Sequence, residues 1–120
     1  MRVDENKLYE SGDDFFNLEG NWLMLMTPDA AVDACMKAVD RGIVVVRVEG
    51  GIWHSDTGPF EMRYDCIWDG DDPPMNSENA LENNVRAADF IRSMNYNAFI
   101  LGVASIRGYG AAVEWKSKNI

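Results

Sequence analysis

An α+β domain is what the hydrophobic periodicities of this chain predict, and three observations carry the prediction. Residues 43–48, Ile-Val-Val-Val-Arg-Val, form a β-branched run, and residues 60–68 alternate with period two, both marks of strands. Two other stretches, opening at Pro28 and near Ser77, repeat apolar residues at helical spacing. Strand and helix signals follow one another in the order β-α-β-β-α-β, which builds an antiparallel sheet with two helices on one face.

Residues 1–20 show no clean period. They read as an acidic, partly ordered arm, with Phe15, Phe16 and Leu18 able to pack as a short turn or helix. Residues 22–26, Trp-Leu-Met-Leu-Met, are wholly apolar and predict a central strand. Thr27, Pro28 and Asp29 then supply an N-cap, a first-turn proline and a carboxylate at the positive end of a helix dipole. Val32, Cys35, Met36 and Val39 mark its expected buried face, Asp33 and Lys37 an i,i+4 pair, and Gly42 its C-terminal stop.

The strand from Ile43 should end at Gly50-Gly51, or continue to His54 past a bulge. Residues 55–59 are a loop by composition, so 43–54 and 60–68 should pair as an antiparallel hairpin. In the second of these strands Phe60, Met62, Tyr64, Cys66 and Trp68 share one face, expected to be buried, with Glu61, Arg63 and Asp65 opposite. The strand runs into Asp69-Gly70-Asp71-Asp72, closed by Pro73-Pro74, which cannot continue a ladder. Asn76 or Ser77 caps a second helix to about Asn95, with Leu81, Val85, Ala88 and Ile91 as its buried stripe and Glu82–Arg86 as an exposed pair. A buried strand follows within 97–106, then a turn at Gly108-Tyr109-Gly110 and an edge strand over 111–115. This chain order is that of the split βαβ, ferredoxin-like arrangement, which would set 21–26 beside 60–68 in the sheet centre; a sandwich with another strand order is the alternative.

One domain spanning 1–120 is expected from the length: an acidic arm over 1–20, an αβ core over 21–106 and an extension over 107–120. No apolar run approaches the ~20 residues that span a bilayer, and the acidic N-terminus lacks the apolar core of a signal peptide. Cys35 and Cys66 both fall on apolar faces, which points to buried, reduced thiols and a cytoplasmic location. The net charge of −9 is concentrated. Residues 1–20 hold six acids against two bases, and residues 56–72 six acids against one; elsewhere eight acids balance eight bases. Such a surface repels nucleic acid and anionic membranes and favours a basic protein partner; the alternative is that the acidity serves solubility alone.

Catalytic chemistry finds little support. His54 is the single histidine, and the consecutive His54-Ser55-Asp56 cannot converge as a nucleophile triad. Asp69, Asp71 and Asp72 with Asp65 are the one candidate set for a hard cation, but they lack the spacing of a Ca²⁺ loop. A module binding a small molecule or a divalent cation, oligomeric through its sheet, is the competing reading. Recognition of a protein needs only acids on a rigid turn and aromatic anchors nearby. Trp53 and Tyr109 are the candidate surface aromatics, and Trp68 reads as core.

Residues 60–74 (FEMRYDCIWDGDDPP), then Asn83-Asn84 with Ala87 and Phe90-Ile91, then Asn97-Ala98-Phe99-Ile100-Leu101, resemble the small immunity proteins of bacterial toxin systems. These are the colicin, contact-dependent growth inhibition and polymorphic-toxin group. The resemblance covers roughly 50–101, with CIWDGDDPP its most specific part. It implies a cytoplasmic, non-enzymatic inhibitor, without cofactor, that binds one cognate toxin domain; many such toxins are nucleases with basic clefts. Asp69, Asp71 and Asp72 are then expected to meet toxin cations, with Asp13, Asp14 and Asp56 at the rim and Trp53 or Tyr109 as anchors. No residue is assigned to catalysis or metal, and a monomer is expected.

Overall fold

The computed structural model describes residues 3–55 and 58–115. Its strands are Leu8–Tyr9 (β1), Leu25–Met26 (β2), Ile43–Ile52 (β3), Glu61–Asp69 (β4) and Ala98–Ser105 (β5), and its α-helices are Gly12–Asn17 (α1), Pro28–Ala38 (α2) and Ser77–Ser93 (α3). The strands form one sheet in the order β1-β2-β5-β3-β4. From β2 to β5 the chain order is β-α-β-β-α-β, and the β3–β4 hairpin is antiparallel, as the sequence predicts.

The spatial order differs from the ferredoxin-like one. β3 and β5 pair along their whole lengths, from Ile43 opposite Ser105 to Gly51 opposite Ala98, and hold the centre; β2 and β4 lie on either side of that pair. The reason is length. Residues 22–24 do not join the sheet, and the two-residue β2 cannot serve as the central partner of a nine-residue strand. Trp22 and Leu23 are exposed, and only Met24, Leu25 and Met26 of that apolar run are buried.

β4 is the sheet's edge, and its alternation is only partly spent on burial. Glu49 pairs with Ile67 and Gly51 with Met62, so Arg63, Tyr64, Asp65 and Cys66 on β4 stand against Gly50 alone. The extra residues bulge outward, leaving Tyr64 89% exposed, while Cys66 stays buried and Trp68 packs on the core; Met62, paired beyond the bulge, is exposed as well.

The opposite edge is made by the N-terminal segment rather than by 111–115. β1 pairs in parallel with β2, and residues 111–115 form no strand, although Val113 and Trp115 lie on the core. Tyr9, Phe15, Phe16 and Leu18 are core residues, so 8–18 is built into the fold instead of hanging from it as an arm.

The helices cover one sheet face, each turned slightly from the expected stripe. Thr27 Oγ1 caps α2 by accepting from the Ala30 amide, and Asn76 caps α3 by accepting from the Asn79 amide. Below its caps α2 buries Ala30, Ala31, Ala34, Cys35 and Ala38 and leaves Met36 exposed. A 3-10 turn over Val39–Arg41 follows, and Gly42 closes it at φ 69°, a left-handed conformation natural to glycine. α3 buries Ala80, Asn83, Asn84, Ala87, Ala88 and Ile91, with Leu81 outside. Arg86 turns to Asp71 rather than to Glu82.

The two asparagines are inside for a reason. β4 pairs with β3 only from Arg47 onward, which leaves the outer edge of residues 43–46 without a strand. Asn84 takes that place: its Oδ1 accepts from the Val45 amide at 2.9 Å and its Nδ2 donates to the Ile43 carbonyl at 3.1 Å. Asn83 Nδ2 donates to the Val45 carbonyl at 2.7 Å. Side-chain amides thus finish the backbone bonding of a buried strand edge.

Candidate functional site

Where β4 leaves the sheet, the chain is pulled inward before it turns. The Gly70 amide donates to the Val46 carbonyl at 2.9 Å. A Cβ at position 70 would lie 2.5 Å from the Val45 carbonyl oxygen and 2.7 Å from Asn83 Oδ1, so only glycine fits this close approach. Asn83 Oδ1 then accepts from the Asp71 amide at 2.9 Å. The buried amide that completes the sheet edge therefore also fixes the acidic turn.

Each carboxylate of the turn has an intramolecular partner. Asp69 meets Arg47 Nη1 at 2.7 Å, and the same guanidinium reaches Glu49 through Nε at 3.1 Å. Asp71 meets Arg86 Nη2 at 2.5 Å. Asp72 Oδ1 accepts from the Tyr109 hydroxyl at 2.7 Å, and among the described residues it meets no cation. The hydrogen bond to Asp72 raises the Tyr109 pKa, keeping the phenol a donor, and the bonds to Glu49 and Asp69 raise that of Arg47. Four carboxylates against two guanidiniums leave a net −2 on this corner. The side chains of Asp69 and Asp71 are 67% and 71% exposed, so oxygens remain open to a partner.

Asp69, Asp71, Asp72 and Tyr109 thus come together, and the other expected contacts do not join them. Trp53 is half-buried at the far end of β3, where Asn97 accepts from its amide and donates to its carbonyl. Six residues of extended chain separate it from Arg47, roughly 20 Å. Asp13 and Asp14 sit in the first turn of α1. Asp13 pairs with Lys37 of α2 at 2.9 Å, which lowers its pKa. Asp56 lies outside the described residues. His54 is exposed, with Nε2 3.2 Å from Glu61. Asp65 is occupied by the Tyr96 hydroxyl at 2.8 Å, and among the described residues no group of three or more His, Cys, Asp or Glu side chains is placed to hold a metal.

Sequence reasoning missed two contributors to this corner. Arg47 was legible only as part of a strand; its pairing opposite Asp69 makes it the turn's counterion. Asn83 entered only among the residues that carry the resemblance, and its spacing in α3 gives no sign that it is buried. Trp22, 69% exposed, was hidden in an apolar run, yet Gly20-Asn21 before it is a turn signal, and Asn21 Oδ1 does accept from the Leu23 amide.

No family model matches the chain. It is 44% identical over 111 residues to the immunity protein CdiI of Burkholderia pseudomallei, an alignment covering 91% of this chain and all of that protein. It is also 28% identical over 81 residues to a colicin-E5 immunity protein of Escherichia coli, covering 65% of this chain and 95% of that one.

Proposed function

Because this chain belongs to the CdiI immunity protein family, we propose that it binds one cognate toxin domain and neutralises it by covering a basic active-site or substrate groove. The toxin is a nuclease in this reading, and the acidic turn stands in for the phosphates of its substrate. The protein acts in the cytoplasm as a binding partner, without catalysis of its own; no helix among the described residues is long and apolar enough to cross a membrane.

The observation that carries the reading is the fixed acidic corner. Gly70 and Asn83 hold the backbone, while Arg47, Arg86 and Tyr109 orient the carboxylates. Groups already in place lose little entropy on binding, so more of the contact energy reaches the affinity. The acidic surface draws a basic partner in from a distance, and pairs desolvated at contact slow its release. Arg47 and Arg86 are not wasted: each can share its carboxylate with a toxin cation, fixing register within an alternating charge pattern.

The test is inhibition. The toxin domain encoded by the adjoining upstream reading frame should cleave nucleic acid alone and stop when one equivalent of this protein is added. A toxin that stays active at saturating inhibitor, or a neighbouring frame of metabolic type, contradicts the reading.

A further inference from the structure

The sheet face turned away from α2 and α3 carries a groove that the acidic corner does not explain. Val48, Leu101 and Trp68 point into the core beneath the helices, so their strand neighbours point the other way. By register, Asp69, Arg47 and Gly102 form one row on that face, and Ile67, Glu49 and Ile100 the next. The groove, about 400 Å³, is floored by Val46 and Ile100 and walled by Trp22, Tyr109, Val113 and Trp115. Gly102 opens its middle: a Cβ there would come within 3.4 Å of Arg47 Cβ. Trp22 and Tyr109 are 69% and 60% exposed, unusual for side chains of that size on an apolar wall.

The groove is continuous with the acidic corner. Tyr109 lines it and donates to Asp72, and Arg47 lines it and holds Asp69 and Glu49. The slot has aromatic walls and an apolar floor, and the three carboxylates at its rim, Glu49, Asp69 and Asp72, outnumber its one lining guanidinium, Arg47, a balance that suits a planar cation. A guanidinium stacks on indole or phenol faces and meets carboxylates with two N–H groups at once, which an ammonium cannot do. The chain's net charge of −9 selects for such a partner over an acidic or neutral one.

We propose that this groove receives an arginine, flanked by apolar side chains, from the cognate toxin domain, so that the toxin is held by the sheet face as well as by the turn. The inference rests on the inhibitor reading above and adds to it the second surface and the residue type that fills it.

Calorimetric titration of the purified toxin domain into wild-type protein, Trp22→Ala/Tyr109→Ala and Met36→Ala tests it. Both groove side chains are largely exposed, so the double variant should keep its melting temperature. It should bind at least 50-fold more weakly, Trp22→Tyr should bind almost as wild type, and Met36→Ala, on the helical side, should be unchanged. In the wild-type complex at least one toxin arginine should resist phenylglyoxal, read by mass spectrometry, and that protection should vanish with the double variant. A double variant within threefold of wild type, or a complex that protects no arginine, overturns the groove while leaving the inhibitor reading intact. Wild-type protein that fails to bind the toxin at all overturns both.

Discussion

The 69–72 turn and the N-terminal segment are both acidic, yet their carboxylates stand on very different foundations. In the turn, the backbone is fixed from beneath by Gly70 and Asn83, and the acidic side chains point outward as the segment's whole content. In residues 3–20 the acids are incidental to the apolar side chains between them: Tyr9, Phe15, Phe16 and Leu18 are core. Phe15 meets Phe16 and Trp115 edge-on, tying the first helix to the end of the described chain. Charge counts alone make the two stretches look alike. Their difference lies in what surrounds the acids: the turn carries its carboxylates on a backbone held by its own hydrogen bonds, whereas the N-terminal segment carries core side chains between its charges.

The largest effect should come from cutting the N-terminal segment. Deleting residues 1–12 removes β1 and the core side chain of Tyr9, takes away the first residue of α1 and opens the sheet edge along β2. Phe15→Ala alone should cost about 3–5 kcal/mol, the usual loss for a large core aromatic, visible as a much lower melting temperature. A truncated protein that melts like wild type would erase the contrast and return the segment to the status of a loose arm.

Next in size is Asn83→Ala, which connects the two kinds of foundation. It strips the buried Val45 carbonyl of a partner, at about 1–3 kcal/mol, and the part-buried Asp71 amide of its own, at a smaller cost because water can reach it. It should also weaken toxin binding, because the turn loses its anchor. Asn84→Ala, which bonds only β3 and its neighbour Asn83, should destabilise the fold comparably yet change toxin affinity less. Equal binding losses in the two variants would show that the turn is not specifically held by Asn83.

How much of this contrast could be read from sequence depends on whether a residue's surroundings are local. The α+β order, the hairpin, the Thr27 and Asn76 caps and the Asp33–Lys37 pair follow from neighbours in the chain, and each is found. The acidic turn was legible too, since proline and glycine punctuate it. What failed was non-local. Asn83 and Asn84 are buried because a distant strand edge lacks a partner, and no pattern within α3 announces that. Their burial rotates the helix, so Leu81 is exposed where periodicity expected it inside. Trp22 and Tyr64 look like core by type, but a turn and a bulge put them in solvent. The strand order depends on which strands are longest, and the two-residue β2 was not legible in a five-residue apolar run.

The thiols sharpen the contrast on the stability side. Burial pushes the Cys35 thiol up to about 12 and the Cys66 thiol up to about 11, above the ordinary value of 9.0. A folded pKa raised in this way leaves stability intact below pH 9, and stability is lost as pH rises from about 9 towards 12, where unfolded thiols ionise first. Denaturant midpoints should therefore fall between pH 8 and pH 10.5, less so in Cys35→Ala compared with its own value at pH 8. Native protein at pH 8 should react with a thiol reagent far more slowly than unfolded protein.

The smallest effect belongs to the N-terminal charges. Asp13 is exposed, and its pair with Lys37 lowers its pKa, so any stability it adds is present above the ordinary aspartate range and fades as pH falls below it. Water and salt screen such a pair, and Asp13→Asn with Asp14→Asn should leave the melting temperature unchanged and slow toxin association only slightly, at low salt.

The central claim, that the turn's carboxylates are the recognition element, is tested most directly by the affinity of Asp69→Asn/Asp71→Asn/Asp72→Asn for the purified toxin domain, measured beside Asp13→Asn/Asp14→Asn. The triple variant should keep its fold and lose several kcal/mol of binding, on the order of 2–5 for each desolvated pair broken, while the double variant binds as wild type. A triple variant that still protects against the toxin, with protection lost instead in the N-terminal double variant, would place recognition in the first helix and contradict the claim.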